Sequence, residues 1–322
     1  MTILITGSAG FIGYHVTKKI LNKNIKVIGI DNINNYYDIN LKKNRIKDLK
    51  KNKKFFFYKV DLSNYKKLDN IVKNKKIKII IHLAAQAGVR YSIKNPRIYF
   101  KSNLEGFFNI LEISRHNNIK HLIYASTSSV YGDSKKFPLS EINRTDQPLS
   151  FYAATKKSNE VMAHSYSYIY KLPCTGVRFF TVYGPFGRPD MALFKFTKNI
   201  LNNHPIELYN KGNHFRDFTY VDDIVDGIYS LIKKQSKKSI PYEIFNIGNG
   251  TPKKLLDYLK YIEKNLKKIS KTKRLPLQVG DIVKTHSNIN KLKKYTGYKP
   301  KTNIKIGIEK FIEWYKDYYK IN

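Results

Sequence analysis

The run Gly7-Ser8-Ala9-Gly10-Phe11-Ile12-Gly13, set directly behind the apolar opening Thr2-Ile3-Leu4-Ile5, constrains this chain more than any other feature. Glycines at this spacing let the backbone turn sharply out of a strand and let a pyrophosphate approach it, seated on the N-terminus of the helix that follows. That helix is legible too: Ile12, Val16 and Ile20 recur four apart within Phe11 to Leu21. The bland reading is a tight turn with no ligand. A lone strand, turn and helix cannot bury their apolar faces, so further units of the same kind are needed.

They are present. Short apolar, β-rich runs occur at Thr2 to Ile5, Lys26 to Ile30, Phe55 to Asp61, Ile77 to Leu83, His121 to Ser126 and Thr175 to Thr181, with helical patterns between them. Several are apolar throughout, as strands covered on both faces should be. Alternating βαβα predicts an α/β fold built on a doubly wound parallel sheet of the Rossmann type. The rhythm breaks after about residue 184, where Pro185, Gly187 and Pro189 mark a loop. The expected division is residues 1–184 as the dinucleotide-binding domain and 185–322 as a smaller substrate domain. The latter carries a helix over Asp222 to Lys233 and a strand over Tyr242 to Ile247, and segments near 217–248 are expected to return to the first domain.

Composition guards against a different reading. Sixty Lys and Arg against 24 Asp and Glu give a net charge of +36, a balance that raises nucleic-acid binding. The excess is almost all lysine, spread along the chain among Asn and Ile, as an A+T-biased genome would place it. The densest runs, Lys50 to Lys54 and Lys267 to Arg274, lack the aromatic interleaving of a single-strand platform. No nucleic-acid partner is expected, although a positive surface helps attract an anionic substrate. The single cysteine, Cys174, has no partner within the chain and points to a reducing, cytoplasmic setting. No apolar run approaches the roughly 18 residues of a membrane span, and no metal is expected.

Asp31 stands 18 residues beyond Gly13 at the end of the second strand. A carboxylate there accepts hydrogen bonds from a ribose diol and repels a 2′-phosphate, which favours NAD over NADP. Asp61 and Leu62 after the third strand, and His82-Leu83-Ala84-Ala85 after the fourth, are positioned to line the adenine and ribose crevice. His82 reads equally as a satisfied buried imidazole.

Tyr152 and Lys156 lie four apart, one above the other on a helix face. A phenol of pKa about 10 is a poor base at neutral pH. A neighbouring ammonium, aided by the nicotinamide's positive charge, favours the phenolate and brings it into range. The hydroxyl cluster Ser126-Thr127-Ser128-Ser129 follows the fifth strand, at the sheet edge where ligands bind. It serves either as substrate contacts or as a plain ST-turn.

These motifs, with Asn103 ahead of Gly106, resemble those of the extended short-chain dehydrogenase/reductases, specifically the nucleotide-sugar epimerases and dehydratases. The resemblance covers essentially the whole chain. The segments Ile30 to Asp38, Ala85 to Tyr91 and Phe180 to Phe194 look like the UDP-glucuronate 4-epimerase branch. The resemblance implies an isomerase in which tyrosinate takes the proton from sugar O4, C4 gives its hydride to tightly bound NAD, and the 4-keto sugar turns over and is reduced on its other face. It implies cofactor contacts from Gly7, Gly10, Phe11, Ile12, Gly13, Asp31, Asn32, Asp61, Leu62, Leu83, Ala84, Ala85, Asn103, Tyr152 and Lys156. Thr127 is expected at O4, Arg216 at the diphosphate, Tyr209 and Asp281 near the uridine, and Arg90 on the substrate side. The helices near Pro96 to His116 and Ser150 to Tyr170 correspond to a homodimer's four-helix bundle in that family, and their stripes are equally compatible with core packing.

The same positions argue against sister reactions. The 4,6-dehydratases carry Asp-Glu after the O4 hydroxyl, and the decarboxylases carry a Glu just before Val-Tyr-Gly; this chain has Ser128 and Ser129. Oxidation of glucuronate at C4 gives a β-keto acid, so a 4-epimerase must keep the carboxylate out of alignment with the carbonyl. Ser128, Ser129, Thr181 and Arg188 are expected to do this by hydrogen bonds and charge. Thr181 stands where many relatives carry Asn. A 4-epimerase of neutral UDP-hexoses or N-acetylhexosamines, and a non-catalytic relative that binds NAD or nucleic acid, are the competing readings.

Overall fold

A computed structural model describes residues 1–321. Seven strands form one parallel sheet: β1 (Thr2–Thr6), β2 (Lys26–Asp31), β3 (Phe55–Lys59), β4 (Ile79–His82), β5 (His121–Thr127), β6 (Cys174–Phe179) and, after a long excursion, β11 (Tyr242–Ile247), in the order β11-β6-β5-β4-β1-β2-β3. The fold class is the doubly wound α/β type expected from the alternation of patterns. Chain direction across the sheet reverses between β1 and β4, which opens a crevice at their carboxyl ends. Ile3 and Ile5 face one buried cluster and Leu4 the other, because successive side chains leave opposite faces of a strand. Helix α1 (Phe11–Asn22) covers the first face, and the helix Gly106–His116 covers the second.

Two strand boundaries differ from the sequence reading for a physical reason. The run Thr175 to Thr181 is not one strand. It ends at Phe179, Phe180 donates its amide to Ile247, and Thr181 donates to Asp217. The chain thereby changes neighbour, and Thr181–Tyr183 (β7) pairs in parallel with Phe218–Tyr220 (β10). Between these lie β8 (Ile206–Leu208) and β9 (Phe215–Arg216), which pair with Thr272–Arg274 and Lys253–Lys254. The third strand stops at Lys59, leaving Asp61 in the turn beyond it. The helical pattern over Pro96 to His116 contains a wide π-helical stretch, Phe100–Glu105. Among the described residues, no helix is long and apolar enough to cross a membrane.

Candidate active site

The crevice begins at the glycine turn. Gly7 has a φ of 74°, and a Cβ there would stand 2.7 Å from the Ala84 amide nitrogen; one on Gly13 would stand 2.0 Å from the Gly7 carbonyl. Neither position accepts a side chain without moving the backbone. The first turn of α1 carries no side-chain cap and no acidic residue, so its free amides and its dipole face the crevice unopposed. Asp31 accepts hydrogen bonds from the amides of Ala9 (3.1 Å) and Ile33 (2.8 Å). Burial pushes its pKa up, while those amides and the charges of Lys42 and Arg45 oppose the shift. Asn32 donates to Asp61 at 2.8 Å, and Ser63 donates to it as well; despite burial these bonds hold the Asp61 carboxyl below the usual range.

One continuous cavity runs from this turn to the carboxyl ends of β5 and β6. Gly7, Gly10, Phe11, Ile12, Gly13, Asp31, Asn32, Asp61, Leu62, Leu83, Ala84 and Ala85 line its cofactor half, and Thr127, Tyr152, Lys156 and Arg188 line the other. His82 is a buried imidazole paired with Thr6 at 2.8 Å, and burial drives its pKa down to about 3. Asn103 does not line the cavity. Its amide clips the Gln86 main chain at both ends and donates to Thr155 at 3.1 Å, which fixes the loop after β4 against the catalytic helix, Phe151–Tyr170.

Tyr152 sits in the first turn of that helix, which is capped by the Ser150 hydroxyl, and Lys156 follows one turn later. Burial raises the Tyr152 pKa, and the Arg188 charge and a hydrogen bond with Thr127 lower it again. Lys156 donates to the Ala125 carbonyl at 3.0 Å, and burial brings its ammonium down to about 8. The Arg188 charge thus acts directly on the phenol. The hydroxyl cluster divides its work: Ser126 donates to Glu160 at 2.6 Å, and Thr127 accepts from the Ser129 amide, opening the turn Ser128–Tyr131. Thr127 is both an ST-turn residue and a cavity residue. Ser128 and Ser129 lie behind it, outside the lining, and Thr181 faces a small hollow shared with Phe11 and Arg188.

A second group of expected residues gathers elsewhere. Arg90 pairs with Asp281 at 3.0 Å and lies 4.5 Å over the Tyr209 ring. Arg216 donates to the carbonyls of Phe215 and Val283, and burial lowers it to about 10. Beside them, buried atoms of His214 (Nε2) and Gln278 (Oε1) have no protein partner. Sequence reasoning gave no role to either, nor to the cavity residues Asn34, Tyr36, Lys42, Gln86 and Met191. For Asn34, Tyr36, Gln86 and Met191 the only signal was their place inside the three segments that carry the resemblance.

Comparison with known proteins decides the family. The model of the NAD dependent epimerase/dehydratase family matches residues 3–248. This chain belongs to that family. It is 51% identical to protein CapI of Staphylococcus aureus, over 99% of this chain and 100% of that protein. It is 44% identical to UDP-glucuronate 4-epimerase 1 of Arabidopsis thaliana, over 100% of this chain and 78% of that protein. The crystal structure of UDP-glucuronic acid 4-epimerase from Bacillus cereus in complex with UDP-glucuronic acid and NAD superposes with a TM-score of 0.93 at 34% identity, covering 99% of this chain and 100% of that one. The residues present fit NAD: an uncapped helix terminus for the pyrophosphate, two glycines that tolerate no Cβ, and a carboxylate at the end of β2 with acceptor capacity for a ribose diol.

Proposed function

We propose that this chain interconverts UDP-glucuronate and UDP-galacturonate by inverting C4. The observation that carries the reading is a single cavity joining the glycine turn, Tyr152, Thr127 and the Arg188 guanidinium. It offers a base for O4 and a cation for a carboxylate beside a dinucleotide cradle. NAD, when bound, supplies the acceptor and donor of hydride at C4.

Tyr152, as phenolate, takes the O4 proton and returns it after the 4-keto sugar has turned over; the Thr127 hydroxyl orients O4. Lys156, whose ammonium burial brings down to about 8, holds positive charge one helical turn from the phenolate. Arg188, which lines the cavity, grips the C6 carboxylate, with Thr181 in the adjoining hollow; the expected grip by Ser128 and Ser129 is not supported, since both lie outside the lining. Ser128 and Ser129, being neutral, offer no acid/base pair for dehydration. Arg216 meets the diphosphate, and Arg90, Tyr209 and Asp281 surround the uridine. Residues 1–184 hold the cofactor, residues 185–322 hold the nucleotide-sugar, and β11 is the segment lent back to the first unit.

On this reading kcat/KM for UDP-glucuronate exceeds that for UDP-glucose about 10- to 100-fold, since Arg188 keeps Asp190 as counter-charge and the neutral sugar forfeits only a charge-assisted contact worth about 1.5–3 kcal/mol. Equal rates on the two substrates would favour a neutral-sugar epimerase instead.

The working unit is a homodimer. Phe100, Phe108, Val161, Tyr168 and Ile169, between 46 and 60% exposed, lie on the helical stretches 96–116 and 151–170. Exposed apolar faces of this size on neighbouring helices suit burial against a second copy. Sedimentation at a mass near twice 37.7 kDa tests this; a single-chain mass would rule it out. The lone Cys174, buried and unpaired, supports a cytoplasmic setting.

A further inference from the structure

Arg188 does not project freely into the cavity. Asp190 takes one side of its guanidinium, accepting from Nε at 3.0 Å and from Nη2. The Tyr36 hydroxyl donates to the Asp190 Oδ2 at 3.1 Å. Tyr36 is fixed in turn: its ring packs on Tyr91 at 4.7 Å between centroids, and its hydroxyl occupies the space a side chain on Gly88 would fill, 2.7 Å from that Cβ. The loop under Arg188 is held from the cofactor side. Arg45, fully buried, donates to the Phe186 and Gly187 carbonyls, to the Ala9 carbonyl in the glycine turn, and to the Tyr37 hydroxyl.

A guanidinium presents two edges that can each grip a carboxylate in two-point fashion, Nε with Nη2 and Nη1 with Nη2. Asp190 occupies the first. Among the described residues Nη1 has no hydrogen-bond partner, so the second edge is free on a residue that lines the cavity. Asp190 therefore does not compete with a substrate carboxylate. It locks the arginine's rotamer and leaves the other edge available.

We propose that Asp190 and Tyr36 are positioning residues for Arg188, and that their pairing keeps the C6 carboxylate of the 4-keto intermediate out of decarboxylating alignment. The inference rests on the UDP-glucuronate reading above and deepens it. The reaction suppressed needs no oxidant: in the β-keto acid the C5–C6 bond breaks, its electron pair passes to the C4 carbonyl as an enolate, carbon dioxide leaves, and C5 takes a proton. Alignment of the C5–C6 bond with the carbonyl π system is the only requirement, so a carboxylate held at two points by a fixed arginine is protected and one held by a wandering arginine is not. Tyr36 reaches Asp190, and through it Arg188, from the loop that follows Asp31, which makes the grip on the sugar depend on the segment that lines the cofactor's ribose crevice.

The test compares wild type, Asp190→Asn, Tyr36→Phe and Arg188→Ala on UDP-glucuronate, with KM and kcat measured separately and products resolved by NMR. Asp190→Asn is expected to raise KM about tenfold, the equivalent of one charge-assisted contact. Its kcat should change less than its KM, and a decarboxylated UDP-pentose should appear that wild type does not release. Tyr36→Phe should show the same product in smaller amount, and Asp190→Glu should suppress it again. A merely structural role would lower total turnover without altering the product split. Wild-type KM and no pentose in Asp190→Asn, or in Tyr36→Phe if the former does not fold, while Arg188→Ala leaks, would overturn the proposal. Failure of wild type itself to epimerise UDP-glucuronate would refute the functional reading, and the proposal with it.

Discussion

Tyr152→Phe is expected to lower kcat on UDP-glucuronate by about 10³- to 10⁴-fold while leaving the fold and the bound cofactor in place. Positioned general acid–base groups contribute up to about 10⁴-fold, and the two polar neighbours of Tyr152 on the cavity wall cannot take its part. Lys156 is committed to the Ala125 carbonyl, and Thr127 is a weak acid that can only relay. The substitution removes one hydroxyl and keeps a ring that meets Tyr99 edge to face at 6.1 Å. Initial rates, read beside the NAD content and melting temperature of the same preparation, separate loss of the base from loss of the fold. A fall of less than tenfold would mean that another group takes the O4 proton.

Glu160→Ala carries the second large effect, this time on stability. Glu160 and Arg178 form a two-point pair with both bonds at 2.8 Å, and their side chains are only 2% and 3% exposed. The network extends from Ser126 on β5, through Arg178 on β6, to the Tyr131 hydroxyl (2.9 Å), which donates to Asn246 on β11 at 2.7 Å. It ties the catalytic helix to three strands just beneath the cavity. Deleting the carboxylate leaves a buried guanidinium without its counter-charge, at a cost of about 3–5 kcal/mol. In a chain of this size that corresponds to a fall in melting temperature of about 4–7 °C. A loss under about 1 kcal/mol would mean that water reaches the pair and screens it.

What could be read in advance follows from how far each feature depends on distant residues. The glycine turn, the helix behind it and the Tyr152–Lys156 pair are encoded within a few residues, because turn geometry and helical spacing are local. The parallel sheet was legible because its strands are buried on both faces and read as unbroken apolar runs. The break at Phe180 was not: Phe180 and Thr181 end the strand by bonding to Ile247 and Asp217, partners that lie far along the chain. Asn103 had a recognisable position, yet its side chain braces the Gln86 main chain and does not line the cavity. Glu160 and Arg178 look like two more charges in a chain full of them, and nothing local shows that both are dry. Tyr36 and Asp190 meet across a separation of 154 residues, and only folding brings that contact to light.

The most direct test of the whole account is to incubate purified protein with UDP-glucuronate, with no cofactor added, and to identify the products by NMR. The expected product is UDP-galacturonate, approached to a fixed ratio from either side, with no pentose and no net oxidation, since C4 takes its hydride back on the opposite face. Release of UDP-xylose or a 4-keto pentose would contradict the claim that Arg188 protects the carboxylate. No reaction even with NAD supplied, alongside turnover of a neutral UDP-sugar, would contradict the assignment of glucuronate itself.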